Sequence, residues 1–77
     1  MGYGYSQSLV LANKTASAKS LGVALGRTCI ANGTSVRTIS ELFGVSRMTV
    51  YNWFKGETHP HHALHTRIQR YIETHKK

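Results

Sequence analysis

Acidic side chains are scarce in this chain of 77 residues. It holds three carboxylates, Glu41, Glu57 and Glu73, and no aspartate. No acid pair stands close enough in sequence to suggest general acid–base work. The one cysteine, Cys29, cannot close an internal disulfide, which excludes a secreted disulfide scaffold and fits a reducing cytoplasm. It lies on an apolar helical stripe and reads as a small buried hydrophobe rather than a nucleophile. No glycine-rich phosphate loop follows a strand. The chain is therefore expected not to be an enzyme and to take no cofactor and no small-molecule ligand. No apolar run approaches the roughly 20 residues that span a bilayer, and no membrane role is expected. A basic n-region followed by an apolar h-region is also missing, so no signal peptide is expected. Met1-Gly2 with Ser6 matches a bare myristoylation pattern, one permissive enough for chance to explain it.

Positive charge is what the chain has. Ten Lys and Arg against three Glu give a formal charge of +7 with histidines neutral. That excess points to a polyanion, with nucleic acid ahead of an anionic membrane surface. Solubilising surface charge is the bland alternative. The length allows one domain with one small core, and a radius of gyration of roughly 11–12 Å when compact.

Residues 1–14 read as a flexible N-terminal arm. Gly2, Tyr3, Gly4, Tyr5, Ser6, Gln7 and Ser8 show no helical period, and the glycines make ordering costly. Leu9-Val10-Leu11 is a short apolar patch whose position is left open: docked on the core, paired with a partner chain, or loose. The domain proper is expected over residues 15–77. Leu21, Ala24, Leu25, Thr28 and Cys29 recur at helical spacing, with Val23 and Ile30 on one flank, and Asn32-Gly33 ends that helix. Gly22 and Gly26, four residues apart, either admit a second helix at close range or are simply tolerated. Thr34 or Ser35 caps the next helix, which is expected to bury Val36, Ile39, Leu42 and Phe43. Gly44 breaks it. Ser46 caps a third helix by accepting from the N–H of Met48 or Thr49; Val50, Trp53 and Phe54 form its apolar face, and Gly56 closes it. A further helix is expected from near Pro60, carrying Leu64, Ile68, Tyr71 and Ile72.

Two short helices joined by a glycine turn span about residues 36–55. Ile39 and Phe43 lie on the first, Val45 in the turn, and Val50 and Trp53 on the second. Ser40 is small where the helices cross. This spacing predicts a helix-turn-helix that turns its second helix outward, towards a DNA major groove about 12 Å wide. The run from Ile39 to Gly56, ending Trp53-Phe54-Lys55-Gly56, resembles the helix-turn-helix of Cro/lambda-repressor-like regulators of bacteria and their phages. Ser40 stands where that family most often has alanine. With its flanking helices the resemblance covers about residues 17–75. It implies an all-α, lambda-repressor-like bundle of four to five helices.

The resemblance also implies roles. The start and outward face of the recognition helix, 47–54, would meet base edges through Ser46, Arg47, Met48, Tyr51 and Asn52. Arg47 suits guanine O6 and N7, and Asn52 suits adenine N6 and N7. Arg37, Thr49 and Lys55 would meet phosphates. Arg27, Lys14 and Lys19 can add to the positive field. The alternative for Arg47, Tyr51 and Asn52 is a solvated helix face. The function expected is a sequence-specific regulator of transcription, most simply a Cro-like phage repressor. It would act as a homodimer on a pseudo-palindromic double-stranded site, with recognition helices about 34–36 Å apart. The dimer surface is open among the N-terminal arm, the Gly22/Gly26 face and the last helix. Such a protein would work in the cytoplasm of a bacterial or phage-infected cell, associated with the nucleoid. Two rivals are an architectural nucleic-acid binder driven by charge and a phage interaction module that engages host transcription machinery. His59, His61, His62 and His65 cluster, and His61 and His65 can share a helix face, but further ligands are missing nearby and no metal site is expected.

Overall fold

The computed structural model describes residues 5–17 and 19–76, and these are all helical apart from turns and connections. Five α-helices follow one another: α1 (Gln7–Thr15), α2 (Leu21–Asn32), α3 (Val36–Phe43), α4 (Arg47–Lys55) and α5 (His65–Thr74). A single 3-10 turn, His62–Leu64, leads into α5. The radius of gyration is 10.9 Å, slightly below the size expected for a compact chain of this length.

Serines start three of the helices. Ser6, Ser35 and Ser46 each place a hydroxyl oxygen 3.1 Å from the backbone N–H three residues on, at Leu9, Thr38 and Thr49. That bond satisfies one of the donors a first turn leaves unpaired. Gly33, Gly44 and Gly56 end α2, α3 and α4. Gly44 shows why glycine is needed there. Its φ is +68°, and an added Cβ would meet nothing within 4 Å. The requirement is therefore purely conformational, since the left-handed region costs other residues about 1–2 kcal/mol.

The core comprises Leu9, Leu25, Cys29, Val36, Ile39, Phe43, Val50, Trp53, Phe54 and Ile68. Helix α4 lies at its centre, packed by α1, α2 and α3, while α5 closes over α2. The Gly22/Gly26 pair makes the α2–α4 crossing possible. A Cβ at Gly22 would lie 2.8 Å from Trp53 Cβ, and one at Gly26 would lie 2.8 Å from Phe54 Cγ. Of the two readings of these glycines, close approach of a helix is therefore correct. The same fact removes their face as a dimer surface, because α4 already covers it.

Four expectations need correction. Residues 7–14, read as part of an arm, belong to helix α1, while Met1–Gly4 lie outside the described residues. Leu9 is buried, and so is Asn13, which is only 2% exposed. Asn13 Nδ2 donates to Phe54 O at 2.7 Å and Val23 O at 3.2 Å, joining α1, α2 and α4 at one point. Tyr5 packs against Phe54, with ring centroids 6.1 Å apart, and its hydroxyl donates to Thr34 O. Second, Leu42 is 45% exposed. The inward positions of α3 are Val36, Ile39, Ser40 and Phe43, so Leu42 falls to one side. Third, the buried stripe of α2 runs through Gly22, Val23, Leu25, Gly26 and Cys29. Leu21, Ala24 and Thr28 are only half-buried, because the glycines turn towards α4. Last, the final helix starts at His65 rather than near Pro60, after His61 caps the 3-10 turn through Nδ1 and Ala63 N, 3.1 Å apart. Helices α1 and α2 thus precede the motif, and α5 alone among the α-helices follows it.

Candidate nucleic-acid interface

Helix α4 is fixed on one side and open on the other. Val50, Trp53 and Phe54 are buried, and Trp53 meets Phe43 edge-on at 6.4 Å between centroids. In a helix of 3.6 residues per turn, burying positions 50, 53 and 54 leaves 48, 51, 52 and 55 on the opposite face. Met48 is 65% exposed and Tyr51 38%. Arg47 is exposed, and Asn52 and Lys55 are half-buried. Arg47, Met48, Tyr51, Asn52 and Lys55 therefore flank one accessible surface.

Ser46 and Thr49 are already engaged with each other. The Ser46 hydroxyl caps α4 through Thr49 N, and the two hydroxyl oxygens lie 2.9 Å apart. Two cations of the surface have acidic neighbours. Arg37 Nε lies 3.2 Å from Glu41 Oε2, and Lys55 Nζ lies 3.6 Å from Glu57 Oε1. The Arg37–Glu41 pair is solvent-exposed and spaced i,i+4, a type worth about 0.3–0.5 kcal/mol. A phosphate oxygen can displace such a partner. Arg47 has no ion-pair partner among the described residues.

Two other arginines hold helix ends. Arg27 Nη2 donates to Lys14 O at 3.1 Å and to Ala16 O at 3.0 Å, closing the end of α1. Arg67 Nη2 donates to Leu42 O at 2.8 Å, with its guanidinium 5.2 Å from the centre of the Phe43 ring. Arg27 is therefore a structural cap, although its charge still adds to the field.

The structure also brings a neighbour that the sequence left unplaced. The start of α1, at Ser6, Ser8 and Leu9, forms a shallow groove with Met48, Tyr51 and Lys55 of α4. The only signal for it was Ser6 as a helix cap, because α1 has almost no apolar period. The histidines do other work. His61 caps the 3-10 turn and stacks on His62 at 4.6 Å. His59 Nδ1 lies 3.3 Å from Ser20 Oγ, and His65 Nε2 donates to Pro60 O at 3.0 Å. His61 precedes α5 and does not share its helical face with His65. Among the described residues, no three metal-binding side chains come together, and no helix is long and apolar enough to cross a membrane.

Comparison with known proteins agrees with this geometry at the level of the motif. Residues 24–58 match the family model described as a homeodomain-like domain. That segment runs from within α2 through α3 and α4 to the connection beyond. No curated protein and no solved structure matches the chain. The match covers less than half of the chain and carries no specific tie to the Cro/lambda-repressor kind. Residues 24–58 are thus similar to homeodomain-like domains, and within them α3, the Gly44 turn and α4 form a helix-turn-helix.

Proposed function

We propose that this protein is a sequence-specific regulator of transcription that reads the major groove of double-stranded DNA with α4. The observation that carries the reading is the two-sidedness of α4. Val50, Trp53 and Phe54 anchor it in the core, while Arg47, Met48, Tyr51 and Asn52 stand at or beside the free face. Arg47 and Asn52 are the side chains suited to bidentate base recognition. Arg37 and Lys55 are assigned to flanking phosphates. Thr49 and Ser46 are assigned smaller parts, since the cap holds their hydroxyls. Met48 and Tyr51 offer apolar and aromatic surface for a thymine methyl.

The finer reading is a small Cro-like phage repressor acting in the cytoplasm as a homodimer. A single helix-turn-helix contacts only a few base pairs, so two-fold pairing is the economical route to specificity. Of the three surfaces considered for pairing, the last helix stays open. Beside it, Leu42, Arg70, Tyr71 and Thr74 line a shallow hollow. Selection of bound duplexes from a randomised library at near-physiological salt tests the proposal. Enrichment of an inverted repeat with half-sites about one helical turn apart supports it. Binding without an enriched sequence favours the architectural reading. No binding leaves a protein partner as the remaining explanation.

A further inference from the structure

Beyond the C-terminal end of α4 the surface folds into an open cleft of about 690 Å³. Its walls come from the α1–α2 connection, the start of α2, the end of α4, and the segment running from His59 into α5. Four basic side chains line it: Lys19, Lys55, His59 and His65. Among the described residues no carboxylate is part of its walls, and Glu57 reaches it through its pairing with Lys55 at 3.6 Å. Ser20, buried at the head of α2, does not cap that helix with its side chain; its hydroxyl lies 3.3 Å from His59 Nδ1 instead. The positive end of the α2 dipole thus adds to the basic lining. His65 is held by its Nε2–H bond to Pro60 O, so Nδ1 is its remaining polar atom.

Lys55 ties this cleft to the DNA-reading surface. It lines both the cleft and the groove beside Met48 and Tyr51. The cleft therefore continues the outward face of α4 beyond its last turn.

We infer that this cleft seats a backbone phosphate of the bound duplex, flanking the base pairs that α4 reads. Lys19 and Lys55 supply charge-assisted hydrogen bonds to phosphate oxygens from two sides, and His59, with Nδ1 facing the Ser20 hydroxyl, offers its Nε2–H as a further donor. The inference rests on the DNA-binding reading above and adds Lys19 and His59 to the contact surface. Phosphate contacts carry no sequence information, so a duplex of mixed sequence is a sufficient probe.

The test is the salt dependence of binding to such a duplex for the intact chain, Lys19→Gln and Lys76→Gln. Lys76 lies after α5, exposed and 3.6 Å from Glu73, and controls for loss of one positive charge elsewhere. Lys19→Gln is expected to weaken binding several-fold at low salt and to reduce the log–log salt slope by about 1. Lys76→Gln is expected to do neither to that degree. A Lys19→Gln slope equal to that of the intact chain, or to that of Lys76→Gln, overturns the seat while the DNA reading stands. Failure of the intact chain to bind any duplex overturns both. In that case, a titration with inorganic phosphate, followed on the His59 and His65 ring resonances, shows whether the cleft is a site for free phosphate.

Discussion

Asn13 is the most exposed point of the structural account, because a polar residue in a segment without helical period is said to hold three helices together. Asn13→Ala removes two donors. Phe54 O, at 2.7 Å, loses its partner inside the core, while Val23 O, at 3.2 Å, keeps its bond within the α2 ladder. A buried acceptor left unsatisfied costs about 1–3 kcal/mol. Truncation leaves a small cavity as well, so a total of about 2–4 kcal/mol is expected. Gly26 sharpens the test. A Cβ there would lie 2.6 Å from Asn13 Nδ2 and 2.8 Å from Phe54 Cγ, so Gly26→Ala alone should destabilise despite the better helix propensity of alanine. In the Asn13→Ala background the first clash is gone. The cost of Gly26→Ala should then fall, giving a coupling of about 0.5–3 kcal/mol between two residues in contact. Urea unfolding followed by Trp53 fluorescence measures all four corners of the cycle. A cost below about 0.5 kcal/mol for Asn13→Ala, or the same cost of Gly26→Ala in both backgrounds, refutes the packing of α1 and returns residues 7–14 to an arm.

Leu42→Ser should change stability by no more than about 0.5 kcal/mol, the range of an ordinary surface substitution; a loss of several kcal/mol in the same urea assay would place Leu42 in the core. Trp53→Ala should cost about 3–5 kcal/mol, since the ring is 3% exposed and anchors α4 against α2 and α3. Burial pushes the Cys29 thiol up to about 12 from an ordinary 9.0, a rise that a hydrogen bond from Tyr71 opposes. The unfolded chain therefore releases this proton first. Stability should be full below pH 9 and fall as the pH rises from 9 towards 12, with burial of Tyr5 and Tyr71 acting in the same direction. Urea midpoints between pH 8 and 11 check the sign, and Cys29→Ala should flatten the fall. A midpoint that rises with pH over that range would contradict the burial of these groups.

The helix-turn-helix was legible in the sequence because its signals agree. Ile39, Phe43, Val50 and Trp53 carry the apolar pattern, Ser46 caps α4 and Gly44 breaks α3. Each of these does in the structure what its residue type favours. Helix α1 was not legible, since Leu9 and Asn13 are its buried residues and a buried asparagine looks like a surface residue until its acceptors are known. Those acceptors, Phe54 O and Val23 O, lie 41 and 10 residues away in the chain. Leu42 misled for the converse reason: Ser40 takes the inward position at the helix crossing, leaving the larger residue outside. In the candidate site, Met48 and Tyr51 could be placed on an outer face by spacing alone. The Arg37–Glu41 pair follows from i,i+4 spacing, whereas Lys55–Glu57 spans a glycine turn that no helical periodicity describes. The basic cleft escaped notice because Lys19 and His59 are 40 residues apart in the chain and meet only when α2 packs on α4.

The central claim is that α4 reads bases through Arg47 and Asn52. Its most direct test is the affinity of the intact chain, Arg47→Ala and Asn52→Ala for the site recovered by selection and for every single-base variant of it. Each substitution should abolish preference at one base position, at about 1–3 kcal/mol, and leave the other positions discriminated as before. Uniform weakening across all variants, with the pattern of preference intact, would contradict the claim and make α4 a phosphate-contacting helix.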